Sequence, residues 1–232
     1  MIAASLNGLL AATAAFVGGH FLMSSLPIRR ALIARLGENG FRSVYSLIAT
    51  AALVWMIVAY GAAPFVSVWS PGPLTRWIPV LAMPVALLLL VCAFTTRNVT
   101  AVGGEAQATA PDPAPGIMRV TRHPFLVGVA LWALSHLAVR GDAASMILFG
   151  GVLVLAVGGM HHIDLRRRAV LGSDWGPVAL TTSAMPFLAL ASRRTRPDWR
   201  GIGVGRVAAA LGLYLALLLL HQPLFGASPF PG

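Results

Sequence analysis

Stretches of about 20 residues with hardly a charge recur along this chain, and a helix needs roughly that length to cross the hydrocarbon core of a bilayer. They cover residues 2–24, 43–66, 77–95, 124–139, 143–162 and 203–221. The third holds Pro79 and Pro84, which predicts a kink. Residues 178–190 (VALTTSAMPFLAL) are apolar but short and marked by Thr, Ser and Pro, so they read as an interfacial or re-entrant stretch before the last span. Composition agrees: 57% of the residues are hydrophobic and 10% charged, whereas soluble domains run near 45–50% and about 25%. The expectation is an all-α, polytopic transmembrane helix bundle of about six spans, one domain over residues 1–232.

The basic residues are all arginine, seventeen against seven acids. A net charge of +10 would suit nucleic acid in a soluble chain; in a membrane chain, loop arginines setting orientation account for it, and no nucleic-acid partner is expected. Arg29, Arg30, Arg35 and Arg42 fall between the first two spans, and Arg97, Arg119 and Arg122 between the third and fourth. Eight more, from Arg166 to Arg206, follow the fifth, and only Arg76 and Arg140 fall on the opposite side. The positive-inside rule then puts both termini outside, periplasmic in a bacterial inner membrane. The first segment lacks the positive start of a signal peptide and reads as a retained span. Residues 106–116 (AQATAPDPAPG) read as an extended, flexible Ala/Pro linker. The single Cys92 lies in an apolar run and has no partner for an internal disulfide.

Ionisable groups inside a membrane are costly and mark function or pairing. Six histidines stand out: His20, His123, His136, His161, His162 and His221. Thr13, Phe16, His20 and Ser24 share one helix face, and Gly128, Trp132, Ser135 and His136 share another. Small, polar and aromatic faces in lipid turn toward other helices. There an imidazole either bonds across the interface or binds a metal or haem iron. His161 and His162 point about 100° apart on a helix and, beside Asp164 and Arg166 to Arg168, read as an interfacial anchor, as does His221. Arg122-His123-Pro124 sets a cation and an imidazole at a helix start, a place for an anion or for lipid head groups.

The stretches GGHFLMSSLPIRRALIARLGENGFRSVYSL, TRNVTAVGGE, RVTRHPFLVGVALWALSHL and GGMHHIDLRRRAVLGSDWGP, with DWRGIG before the last span, run in order along the chain. In that order they resemble the NnrU family of bacterial membrane proteins. The resemblance implies a link to denitrification and nitric oxide metabolism, and an apolar small-molecule substrate. A plant relative with this domain isomerises 15-cis-ζ-carotene and resembles a haem b protein with histidine ligands on membrane helices. By motif those ligands fall on His20 and His136. The relative's alternative cysteine ligand, three residues before the second histidine, corresponds to Ala133. Judged by rise per residue, His20 lies about 6 Å from the arginine-rich end of its span and His136 about 18 Å from that end of its own. On depth, His123 is the alternative partner for His20.

Two other readings remain open. RHPFLVG with the later LRRRAVLGSDWGP resembles the S-adenosylmethionine-binding region of isoprenylcysteine-type and small-thiol methyltransferases; Arg122 would meet the cofactor's carboxylate. Those enzymes carry paired glutamates ahead of the later stretch, where this chain has only Asp164. A non-enzymatic assembly or regulatory factor is the third reading.

Overall fold

The computed structural model describes residues 5–230, and the first residues of the expected span 2–24 lie outside them. Helix α1 (Leu6–Ser24) starts at Ser5, whose hydroxyl accepts from the Gly8 amide. Then come α2 (Leu26–Ala62), α3 (Trp77–Thr95), α4 (Pro124–Val139), α5 (Ala143–Leu171), three short helices α6 (Trp175–Thr181), α7 (Leu188–Ala191) and α8 (Trp199–Ile202), and α9 (Val204–Phe225). Five of the long helices are apolar and long enough to cross a membrane, and α4 adds a shorter apolar one. Leu47, Val54, Leu81, Val85, Leu215 and Leu219 are exposed on their flanks, as in lipid they should be. The chain is a multi-pass membrane protein, and the 178–190 stretch forms only short turns of helix.

The major helices pack as an arc in the order α2, α1, α5, α4, α3, α9. Lipid tails offer helices no hydrophobic drive to associate, so close approach depends on small residues. A Cβ on Gly151 would overlap Thr13 of α1, and one on Gly158 would come 2.7 Å from the Phe21 ring. On the other side of α5, Trp132 of α4 sets its ring 5.1 Å from that of Phe149, edge to face.

Two helices outrun the expected spans. Residues 25–42, expected as a loop, are helical from Leu26, because Pro27 suits a first turn and the Leu, Ala, Ile and Arg that follow favour helix. The backbone breaks only at Gly37, where φ is 71°, a conformation glycine adopts without a Cβ penalty. Glu38 receives Arg29 across this kink at 2.7 Å and Arg42, one turn further on, at 3.2 Å. Likewise α5 continues nine residues beyond the expected 162, carrying Asp164, Arg166 and Arg167 out of the apolar run on continuous helix.

The expected flexible linker at 106–116 is corrected: the segment is packed. Ala108 and Ala114 are buried with Val99, Met118, Trp175 and Val178, and residues 105–109 form a 3-10 turn. Its backbone is held by side chains, Gln107 Nε2 donating to the Asp112 carbonyl at 2.7 Å and Gly116 N to Asp198 Oδ2 at 2.8 Å. Small Ala and Pro side chains let this layer lie close against 172–203, a tertiary effect that composition does not carry.

Overpacking a close contact costs about 1–3 kcal/mol. Gly151→Val is therefore expected to lower the thermal midpoint in detergent. Gly150→Val, where a Cβ meets nothing within 4 Å, should stay within about 0.5 kcal/mol of the parent. Equal midpoints for the two variants would contradict the close α1–α5 approach.

Candidate functional site

The arc encloses a cavity of about 1700 Å³, larger than the roughly 300–1,000 Å³ of common ligand pockets. Six helices line it: Phe16 and His20 from α1, Met56 and Tyr60 from α2, Met83 and Leu87 from α3, Trp132 and His136 from α4, Phe149 and Val152 from α5, and Tyr214 and His221 from α9. The ends of the arc, α2 and α9, face one another across it without extensive packing. Its middle is apolar. Arg29, Arg42, Arg166, Arg167, Glu38 and Glu105 stand at one end, and Arg76 and Arg140 at the other.

His20 and His136 thus meet one cavity, and each is held in the same way. His20 Nδ1 donates to the Phe16 carbonyl at 2.7 Å, and His136 Nδ1 to the Trp132 carbonyl at 2.8 Å. A carbonyl can only accept, so the proton of the neutral ring sits on Nδ1 and Nε2 keeps its lone pair. Each imidazole is oriented by its own helix one turn back, the arrangement a metal-ligating histidine uses. Phe16 stacks edge-on against His20 at 4.5 Å and Tyr45 at 5.5 Å; Trp132 and Phe149 flank His136.

Helix α5 serves as a depth scale for the pair. Phe21 lies opposite Gly158, while the His136 ring contacts Phe149; at 1.5 Å per residue their backbones differ by about 12 Å in depth. The side chains reduce this. A helical side chain leans toward its helix N-terminus, and α1 and α4 run in opposite directions, so the two rings lean toward one another. The bonds to Phe16 and Trp132 record that lean. The carbonyl four residues back lies only about 2.9 Å from the amide of the histidine itself, so each lean recovers about 3 Å and narrows the separation without closing it.

His221, expected at the interface, lines the same cavity and donates from Nδ1 to the Ala227 carbonyl at 2.7 Å. Its own segment carries no signal of this, because the arc brings α9 round only in three dimensions. His162 also reaches the cavity, with its ring 5.9 Å from Phe21, whereas His161 is exposed. Cys92 is buried with Leu89, Ile117 and Ile202. Among the described residues no three His, Cys, Asp or Glu side chains gather as a metal site. An ion bound by these imidazoles has to bring its own remaining ligands.

Arg122 and His123 are both engaged by Asp164, although His123 also borders the cavity. Arg122 Nε donates to Asp164 at 2.9 and 3.1 Å, its Nη1 to the Thr182 carbonyl at 3.3 Å, and its guanidinium lies 5.8 Å from the Trp175 ring. His123 Nε2 meets Asp164 at 2.8 Å and the residue is 2% exposed. Together they clasp the start of α4 to the end of α5 and to the 182–187 strand of irregular chain, where Arg122 N donates to the Ser183 carbonyl.

Burial pushes His123 below the ordinary histidine pKa, with the nearby Arg122 charge acting the same way, and this outweighs the upward pull of Asp164. The unfolded chain therefore takes up this proton first as pH falls. Stability that is complete above the ordinary value declines as pH drops through about 6.5 toward the folded pKa. The thermal midpoint should fall over that window, and less steeply in His123→Gln, which can still donate to Asp164 without titrating. Parallel curves for the two proteins would refute this role for His123.

The family model described as "NnrU protein" matches residues 8–229. The chloroplastic 15-cis-zeta-carotene isomerase of Zea mays is 32% identical over 81 residues, 35% of this chain and 22% of that protein. Its counterpart in Arabidopsis thaliana is 33% identical over 75 residues, 32% of this chain and 20% of that protein. The similar region thus takes in about a fifth of the length of these relatives. No solved structure matches the chain. With almost its whole length covered by the family model, the chain belongs to the NnrU family.

Proposed function

We propose that this protein holds haem b between His20 and His136 and serves in redox-dependent cis–trans isomerisation of a long apolar substrate. The observation that carries the reading is the pair of imidazoles, each with Nδ1 tied to its own helix and Nε2 left to one shared cavity. Two such nitrogens, on side chains leaning into one cavity from antiparallel helices, are the ligand type that would hold haem iron. Haem would supply one-electron chemistry at that point. The chain's own part is to orient the two imidazoles, line the cavity with apolar side chains and exclude water from it.

The substrate class is supported by the relatives, which are named as 15-cis-zeta-carotene isomerases, and by the shape of the bundle. Because α2 and α9 border the cavity without closing on one another, an apolar molecule can enter from the bilayer between Ile57 and Leu218. Fifteen arginines on one face support a bacterial plasma-membrane orientation with that face cytoplasmic and both termini periplasmic. The methyltransferase reading has less support, since Arg122, which would meet the cofactor's carboxylate, already holds Asp164.

Detergent-purified protein supplied with haem should show a Soret band of a six-coordinate, histidine-ligated iron. His20→Ala and His136→Ala should each lose that spectrum while remaining helical and monodisperse, and His221→Ala should keep it. Folded parent protein that stays colourless overturns the proposal. A spectrum lost in His221→Ala but kept in His20→Ala overturns the ligand pair.

A further inference from the structure

We infer that Arg166 receives the carboxylates of the ring ligand, at the end of the cavity where His20 lies; this rests on the haem reading above. Arg166 projects from the extension of α5, lines the cavity and is half-buried. Among the described residues it has no hydrogen-bond or ion-pair partner, although every other arginine there is exposed, paired with an acid or bonded to an oxygen of the chain.

The acids nearby are already committed. Glu38 holds Arg29 and Arg42, and Glu105 holds Arg167. Asp164, two residues before Arg166, is taken by Arg122 and His123. Arg29, Arg167, Glu105 and Tyr45 lie within electrostatic reach of Arg166. Four guanidiniums thus share two carboxylates, leaving two positive charges at a half-buried cavity end. A charge taken out of water without a counter-ion is costly, and haem b carries two propionate carboxylates that would balance this one. Guanidinium suits a carboxylate through paired, charge-assisted hydrogen bonds.

Placement agrees with charge. The Tyr45 ring lies 5.5 Å from the His20 ring, so the uncompensated cation and the proposed ligand share one neighbour. At the opposite end of the cavity Arg76 and Arg140 are exposed, so solvent or head groups can satisfy them and no buried anion is called for.

The test is titration of the purified protein with haem b and with its dimethyl ester, whose carboxylates are blocked, in the parent, Arg166→Met and Arg166→Lys. Parent protein should bind the free acid about ten- to a hundredfold more tightly than the ester, the range set by a charge-assisted hydrogen bond. Arg166→Met should abolish the preference while keeping the histidine-ligated spectrum, and Arg166→Lys should restore part of it. Without ligand, Arg166→Met should be at least as heat-stable as the parent, which a merely structural arginine would not allow. Equal binding of acid and ester by the parent, or an undiminished preference in Arg166→Met, overturns this inference and leaves the haem site standing. Absence of any histidine-ligated spectrum in the parent overturns both.

Discussion

The approach of α1 to α5 is the contact on which the rest of the arrangement depends. In a bilayer the helices gain no hydrophobic free energy by meeting, so contact has to come from backbones that can come close. Gly151 and Gly158 leave α5 without side chains where Thr13 and Phe21 arrive, and α4 leans on the same helix through Trp132 against Phe149. Because α1 and α4 share α5, His20 and His136 are set in depth by a common scale rather than by independent spans. Nothing comparable joins α2 to α9. The arc is therefore held firmly at its centre and left open at its ends, which is where a cavity between helices can communicate with lipid.

Arginine does two jobs here, and the second accounts for the absence of lysine. A surplus of positive charge on one face orients a membrane chain whichever cation carries it. The layer outside the helices is irregular, however, and its carbonyls need donors. Arg194 Nη1 reaches the carbonyls of Ala179, Leu180 and Thr182 within 3.2 Å, and Arg206 joins the end of α3 to the carbonyls of Gly201 and Ile202. A planar guanidinium with five donors can bridge several chain segments in this way, whereas an ammonium on a flexible stem is a poorer brace. The same chemistry makes Arg166 conspicuous, because it lines the cavity and is hydrogen-bonded to nothing among the described residues.

Much of the fold could be read where polarity and helix ends coincide. Spans 77–95 and 124–139 have the bounds that Trp77–Thr95 and Pro124–Val139 show, since Pro124 and the flanking Arg97 and Arg140 end the apolar run and the helix together. Expected and observed bounds differ where polarity and helix ends do not coincide. Arginines end a hydrophobic run but favour helix, so α2 begins well before its apolar segment and α5 outlasts its own. The 106–116 stretch misled for a related reason. Ala and Pro describe what a segment can do alone, not what Trp175 and Val178 will pack against it.

For the site, the chain's own order of residues settled the helix faces: Phe16 with His20 and Trp132 with His136 follow from the helical repeat, as do the Nδ1 bonds one turn back. Apolar length likewise settled that the protein lives in a bilayer. Only the tertiary structure decided which faces meet. It set His20 and His136 leaning from antiparallel helices into one cavity, brought His221 round to the same cavity, and committed Arg122 and His123 to Asp164 while leaving Arg166 unpaired among the described residues. The physical reason is that helical periodicity is local, whereas depth, opposition and charge balance depend on neighbours that are distant along the chain.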